Sequence, residues 1–172
     1  MKLFEQIRED YRAHGRDWTR PGFRAVAVHR FGVWRMSVRP KLLRAPLSLL
    51  YRFLFRRIRN RYGVELPYSV RLGRRVVFEH QSGIVVHGAT EIGDDCIVRQ
   101  NCTFGVRRLD DLDGAPRVGR GVDIGAGAVL LGQIKIGDGA RIGANAVVLD
   151  DVPPGGLAVG VPAVIKPPRT SA

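Results

Sequence analysis

No stretch of this chain offers the roughly 20 uninterrupted apolar residues that a membrane-spanning helix needs. The longest candidate, LLRAPLSLLYRFLF at residues 42–55, is broken by arginine and proline. Cysteine is also scarce, and Cys96 and Cys102 alone cannot make a disulfide framework. The opening MKLFEQIRED has no apolar core ahead of a cleavage site, so no secretory leader is expected and a cytoplasmic location is. Acidic residues are missing from one region above all. Residues 1–62 hold 16 Lys and Arg against 4 Asp and Glu, whereas residues 63–172 hold 12 of each sign, so the whole net charge of +12 lies in the first third. Uncompensated positive charge fits an anionic neighbour: a membrane surface, a nucleic acid or an acidic partner. The remaining composition, 45% apolar and 26% charged over 172 residues, suits one soluble domain with an accessory segment.

The basic segment, residues 1–62, reads as helical. Phe23, Ala27, Phe31 and Trp34 recur at helical spacing, and Leu47, Leu50, Leu54 and Ile58 make a second stripe. Pro46 suits the first turn of that second helix. The stripes are expected to pack on each other and on a partner subunit, with the arginines solvated. The alternative is a basic amphipathic helix lying on an anionic bilayer at the inner membrane face. No nucleic-acid reader motif accompanies the charge, and no nucleic acid is expected.

After Tyr62 the period becomes six. Val118, Ile124, Leu130, Ile136, Ile142 and Val148 stand six apart, and Gly119, Gly125, Gly137 and Gly143 follow four of them. Small or medium residues, Val122, Ala128, Ile134, Ala140 and Ala146, sit two places before. Upstream, Ile92, Val98 and Phe104 keep the step, and Leu72, Phe78 and Ile84 keep it in a frame shifted by two. This is the hexapeptide repeat of a parallel β-helix of roughly four coils, with an aliphatic stack inside. Cys96 and Cys102 take the small inward position two before Val98 and Phe104, as apolar fillers and not as redox or metal groups.

A regular solenoid has no chemistry of its own, so function is expected where the repeat breaks. One break is the frame shift between Ile84 and Val86, just after His80 in FEHQSGIVVHG, residues 78–88. The other separates Phe104 from Val118 by fourteen residues in place of six, which predicts an extruded loop within 105–117 carrying Arg107, Arg108, Asp110, Asp111 and Asp113. That loop suits a polar substrate, a neighbouring chain or plain solvation.

At these residues the chain resembles the serine acetyltransferase branch of the hexapeptide-repeat acyltransferases. ELP at 65–67, EHQSGIVVHG at 79–88 with His80 fifteen residues after Glu65, and the run from Gly125 through the Gly-Val-Pro-Ala turn at 160–163 carry the likeness, which spans Gly63 to Ile165. Basic segments AVAVHRFGVWR and APLSLLYRFL look more like the colanic acid and exopolysaccharide O-acetyltransferases. The resemblance implies a mostly β fold, a left-handed parallel β-helix over 63–165 behind a basic α-helical segment, with a short tail at 166–172. It implies acetyl-CoA as acyl donor, His80 as general base, and Glu65, in place of the family's Asp, as the acid that orients the ring. His87 is a spare base in place of a family glycine. Gly105, Ala126 and Ala144 match positions that line the cofactor groove; Ala126 and Ala144 are 18 apart, one full coil. No metal is implied. A homotrimer is, with a dimer of trimers as a further option.

The departures concern the acceptor. Where serine acetyltransferases carry an Arg-His pair that grips the amino acid, this chain has Gly114 and Ala115, and Glu79 replaces an Asp. Glycine and alanine cannot replace a carboxylate fork. Glu79, Arg107 and Arg108 are left as candidate acceptor-binding residues. The first expectation is therefore O-acetylation of a sugar hydroxyl in a polysaccharide or lipid-linked glycan precursor. A serine O-acetyltransferase with a rewired site is the second, and an inactive trimeric scaffold or binding module the third.

Overall fold

The computed structural model describes residues 3–108 and 110–168. From Val64 onward the six-residue step becomes short strands joined by tight corners, and each of the first four coils gives one strand to each of three sheets, the fifth adding only an Ile136–Val152 bridge to sheet B. Sheet A stacks β1 (Val64–Glu65), β4 (Ile84–Val86), β7 (Thr103–Gly105), β10 (Val129–Leu131) and β13 (Val147–Val148). Sheet B stacks β2 (Arg71–Leu72), β5 (Glu91–Ile92), β8 (Arg117–Val118) and β11 (Lys135–Ile136). Sheet C stacks β3 (Val77–Phe78), β6 (Ile97–Val98), β9 (Asp123–Ile124), β12 (Arg141–Ile142) and β14 (Leu157–Val159). All these pairings are parallel; antiparallel β15 (Val164–Lys166) closes sheet C and runs one residue past the boundary expected at 165. The result is the left-handed β-helix of the sequence reading.

Coil length records the two irregularities. Val129 pairs with Val147, a step of 18; Thr103 pairs with Val129 across a step of 26; Val64 pairs with Ile84 across a step of 20. The eight extra residues leave as an excursion over 106–116, between β7 and β8. The two extra residues do not fall between Ile84 and Val86, as the frame shift suggested, since both side chains are buried in β4. They lie earlier, in the corner 79–83: Phe78 and Val85 are seven residues apart, whereas the residues they pair with, Val98 and Thr103, are five apart.

Inside the prism the inward positions are filled as the repeat predicts. Phe104, Ile124, Leu130 and Val148 are fully buried, with Cys96 and Cys102 in the small positions. Each thiol donates to a carbonyl of the next coil, Gly119 or Gly125, at 3.1 Å, and burial pushes the Cys96 thiol up to about 11. Glycine follows the inward aliphatic because the coils touch there: a Cβ on Gly93 would sit 2.5 Å from the Gly119 carbonyl oxygen.

Helices α1 (Leu3–Ala13), α2 (Pro21–Arg35) and α3 (Lys41–Tyr62) cover the first coil. Pro46 does not open α3, which starts at Lys41 and holds that proline in its interior. The buried face of α2 also differs from the expected stripe. It carries Phe23, Val26, His29, Arg30 and Arg35, while Trp34 is exposed. The reason lies in the first coil, whose outer backbone edge has no further coil to pair with. Arg30 donates to the carbonyls of Leu72 and Gly73, and His29 Nε2 donates to the Val70 carbonyl at 3.0 Å. Asp10 accepts the Arg75 N–H, and His14 Nε2 accepts the Phe78 N–H at 3.3 Å. Asp10 and Arg30 pair at 2.9 Å, only 1% and 5% exposed. Bare strand backbone thus selects polar side chains for a helix face that would otherwise be apolar.

Candidate active site

The corner 79–83 is shaped by its two surplus residues. They bow the chain outward, leaving His80 exposed with φ +54° and Ser82 with φ +104°. Phe78 anchors the near end in the core, and Gly83 closes the far end, where a Cβ would meet the Asn101 side chain at 2.3 Å. The start of α2 backs the same corner. A Cβ on Gly22 would fall 1.9 Å from the Phe78 carbonyl oxygen, so only glycine lets the helix approach this closely. Between the two lies a hollow of about 330 Å³ lined by Arg20, Pro21, Gly22, Phe78, Glu79, His80 and Gln81.

Along the prism edge where sheet C passes into sheet A, successive corners stack. The N–H of Asn101 bonds to the Ser82 carbonyl, that of Gly127 to Gln100, and that of Asn145 to Ala126. Ala126 and Ala144 therefore share one edge with His80. At a strand spacing of about 4.8 Å per coil they lie roughly 10 and 14 Å along it. Two small side chains, Ala126 and Ala144, thus follow Gln100 and Asn101 along the edge that begins with His80.

Glu79 also stays at this corner, within 3.5 Å of Arg99, and Arg99 in turn pairs with Asp123 on the following coil. Arg99 went unnoticed in the sequence, although its place one 20-residue coil after Glu79 was there to be read. Gln100 was missed too; its Oε1 is buried without a hydrogen-bond partner on the same edge.

Other candidates are placed elsewhere within the chain. Glu65 lies on β1 beside Val85, and no hydrogen bond or ion pair joins it to His80 among the described residues. Gly105 ends β7 on the next edge, between sheets A and B. Arg107 and Arg108 follow it into the excursion and line a separate hollow of about 380 Å³ with Asp111, Gly114 and Leu131. Arg108 is committed to a two-pronged ion pair with Asp110. Gly114 and Ala115 are buried within the excursion, so neither reaches out to grip a ligand. His87 sits on the A–B edge, its Nδ1 accepting the Ala89 N–H of its own turn.

Comparison with known proteins identifies the family and the fold. A family model described as bacterial transferase hexapeptide, six repeats, matches residues 115–150. The protein named as a colanic acid biosynthesis acetyltransferase, WcaB, of Escherichia coli strain K12 is 36% identical over 163 residues, 92% of this chain and 97% of that one. Among solved structures, soybean serine acetyltransferase complexed with serine superposes with a TM-score of 0.78 at 37% identity, covering 95% of this chain and 69% of the other. Serine acetyltransferase of Brucella abortus strain S19 in complex with coenzyme A gives 0.80 at 28% identity, with 98% and 69% covered.

Proposed function

The chain belongs to the hexapeptide-repeat acyltransferases, and from that premise we propose that it moves an acetyl group from acetyl-CoA to a sugar hydroxyl of a polysaccharide or lipid-linked glycan precursor. The observation that carries the reading is the corner 79–83: one exposed imidazole on the edge that also holds Ala126 and Ala144, with the nearby Arg99 already tied to Glu79 and Asp123. Acetyl-CoA supplies the activated thioester. Ala126 and Ala144 leave room for its thin arm along the edge. His80 takes the hydroxyl proton as the sugar oxygen attacks the thioester carbonyl, then returns it to the departing thiolate, so the imidazole ends each cycle as it began. Glu79, held by Arg99, contributes a hydrogen-bond acceptor suited to a neighbouring sugar hydroxyl. Glu65 is the acid proposed to orient the ring, the role that the resemblance gives to this position.

A symmetric trimer is part of the proposal: it brings the edge carrying His80 on one subunit against the excursion-bearing edge of the next. Serine O-acetylation is the second reading, favoured by the likeness to the soybean enzyme complexed with serine. Release of free thiol from acetyl-CoA, followed with L-serine and separately with soluble and lipid-linked glycans, distinguishes them. Turnover with glycan and little with serine is expected; brisk turnover with serine alone would overturn the choice of acceptor.

A further inference from the structure

The outward side of α3 is divided along its length. Leu42, Leu49 and Phe53, at spacings of seven and four, lie opposite the buried Tyr51 and Ile58, and they are 87%, 65% and 62% exposed. Leu43 and Leu50 flank them and are exposed as well. Beyond Phe53 the same side turns basic. Arg56, Arg57 and Arg61 rim a shallow hollow together with Phe53 and Asn60. Arg52, Arg56 and Arg57 have no hydrogen bond or ion pair among the described residues. All of α3 contains seven Lys and Arg and no Asp or Glu.

We infer that this face of α3 docks on an anionic lipid surface. The apolar half enters the headgroup boundary and the arginines of the other half meet lipid phosphates, the arrangement that an interfacial helix requires. Charge decides the occupant. A second copy laid face to face would bring Arg56, Arg57 and Arg61 against a helix that has no Asp or Glu to pair with them, whereas an anionic bilayer neutralises them. No helix among the described residues is long and apolar enough to cross a membrane, so the contact is peripheral.

The position of the helix gives docking a consequence. α3 ends at Gly63, whose carbonyl accepts the Ile84 N–H at 3.0 Å and whose neighbours across the coil are Ser82 and Gly83. The basic end of the helix thus abuts the corner that carries His80, and docking holds that corner near the lipid surface. The docking stands on α3 alone; that it presents a lipid-linked acceptor to His80 rests on the function proposed above.

Co-sedimentation of the full chain with vesicles tests it, using phosphatidylglycerol–phosphatidylcholine mixtures against pure phosphatidylcholine. Binding to the anionic vesicles only, weakened by salt, is expected. Arg56→Gln with Arg57→Gln lowers it about 30-fold, at roughly fivefold per charge, and Leu49→Ser with Phe53→Ser by about tenfold or more. Equal binding to both vesicles, no binding, or variants that bind like the parent would overturn the inference. So would sizing by light scattering that shows the parent in a larger assembly than the Leu49→Ser/Phe53→Ser variant, since a second copy would then cover the face. Thiol release with a soluble glycan, measured without vesicles, is unchanged in that variant. If vesicle binding fails while this turnover persists, only the docking falls; if binding holds and no glycan supports turnover, only the acceptor does.

Discussion

The prism and its helical cap solve opposite problems. In the prism, each coil satisfies the backbone of the last, so the side chains inside are free to be apolar, and Phe104, Ile124 and Leu130 meet no polar demand. In the cap, helices lie against strand backbone that no further coil covers. Their buried positions go to Asp10, His14, His29 and Arg30, each bonded to a backbone group of the first coil. A repeat can be ended by chemistry as specific as that of an active site. The same cap presses on the corner that carries His80 from behind, through Gly22 and His14 against Phe78.

The largest expected effect separates chemistry from both regions. His80→Ala should lower turnover by about 10²–10⁴ while leaving the fold intact. Retention of the parent rate in the thiol-release assay would take His80 out of the mechanism.

Two substitutions then set core against core. Asp10→Ala leaves the buried Arg30 guanidinium without its partner and should cost about 3–5 kcal/mol in denaturant unfolding. Leu130→Ala opens an apolar cavity and should cost about 2–5 kcal/mol. The costs are similar but the remedies differ. Replacing Asp10 and Arg30 together by apolar residues does not restore stability here, because the Leu72 and Gly73 carbonyls and the Arg75 N–H would lose their partners. Recovery in that double variant would show that the cap does not need its polar interior.

Acid sharpens the contrast further. Burial lowers both cap histidines: His29 falls to about 4, against the pull of its bond to the Val70 carbonyl, and His14 falls too, against its bond to the Asp10 carbonyl. Both are neutral when folded, so the unfolded chain binds more protons below pH about 6.5, and stability drops as pH falls toward the folded values. His29 alone accounts for about 3 kcal/mol across pH ~6.5 to ~4. The structural cause is visible in the rings. A proton on His14 Nε2 displaces the Phe78 N–H, and one on His29 Nδ1 meets no acceptor among the described residues. Unfolding midpoints measured between those pH values should slope downward with acid, and a flat profile in the parent would refute the assignment.

The smallest effect belongs to the prism surface. Arg99→Gln releases Glu79 from a half-exposed ion pair, so stability should change by less than about 1 kcal/mol. Turnover should fall only severalfold, chiefly through a higher KM for the acceptor.

What could be read in advance follows the same divide. Positions from Val118 to Val148 declared their burial one by one, because every coil repeats the same demand and glycine marks each close approach. The length of the excursion and the presence of surplus residues near His80 were also legible, although the surplus fell in 79–83 and not between Ile84 and Val86. The buried face of α2 was not legible. Phe23, Ala27, Phe31 and Trp34 make a convincing helical stripe, yet the helix turned Val26, His29 and Arg30 inward to meet open carbonyls that no local pattern reveals. Arg99 escaped for a related reason, since its partners Glu79 and Asp123 are 20 and 24 residues away and become neighbours only when coils stack.

The amino-acid sequence by itself determined the prism, because a six-residue period satisfies side chains and backbone together, coil after coil, with no help from distant parts of the chain. It also determined that the charge is segregated and that His80 stands at an irregularity. Only the tertiary structure decided which edge His80 shares with Ala126 and Ala144, and which helix faces are buried. The physical reason is that an unpaired strand edge and a stacked corner exist only once the coils have closed, and both then outweigh the local hydrophobic pattern.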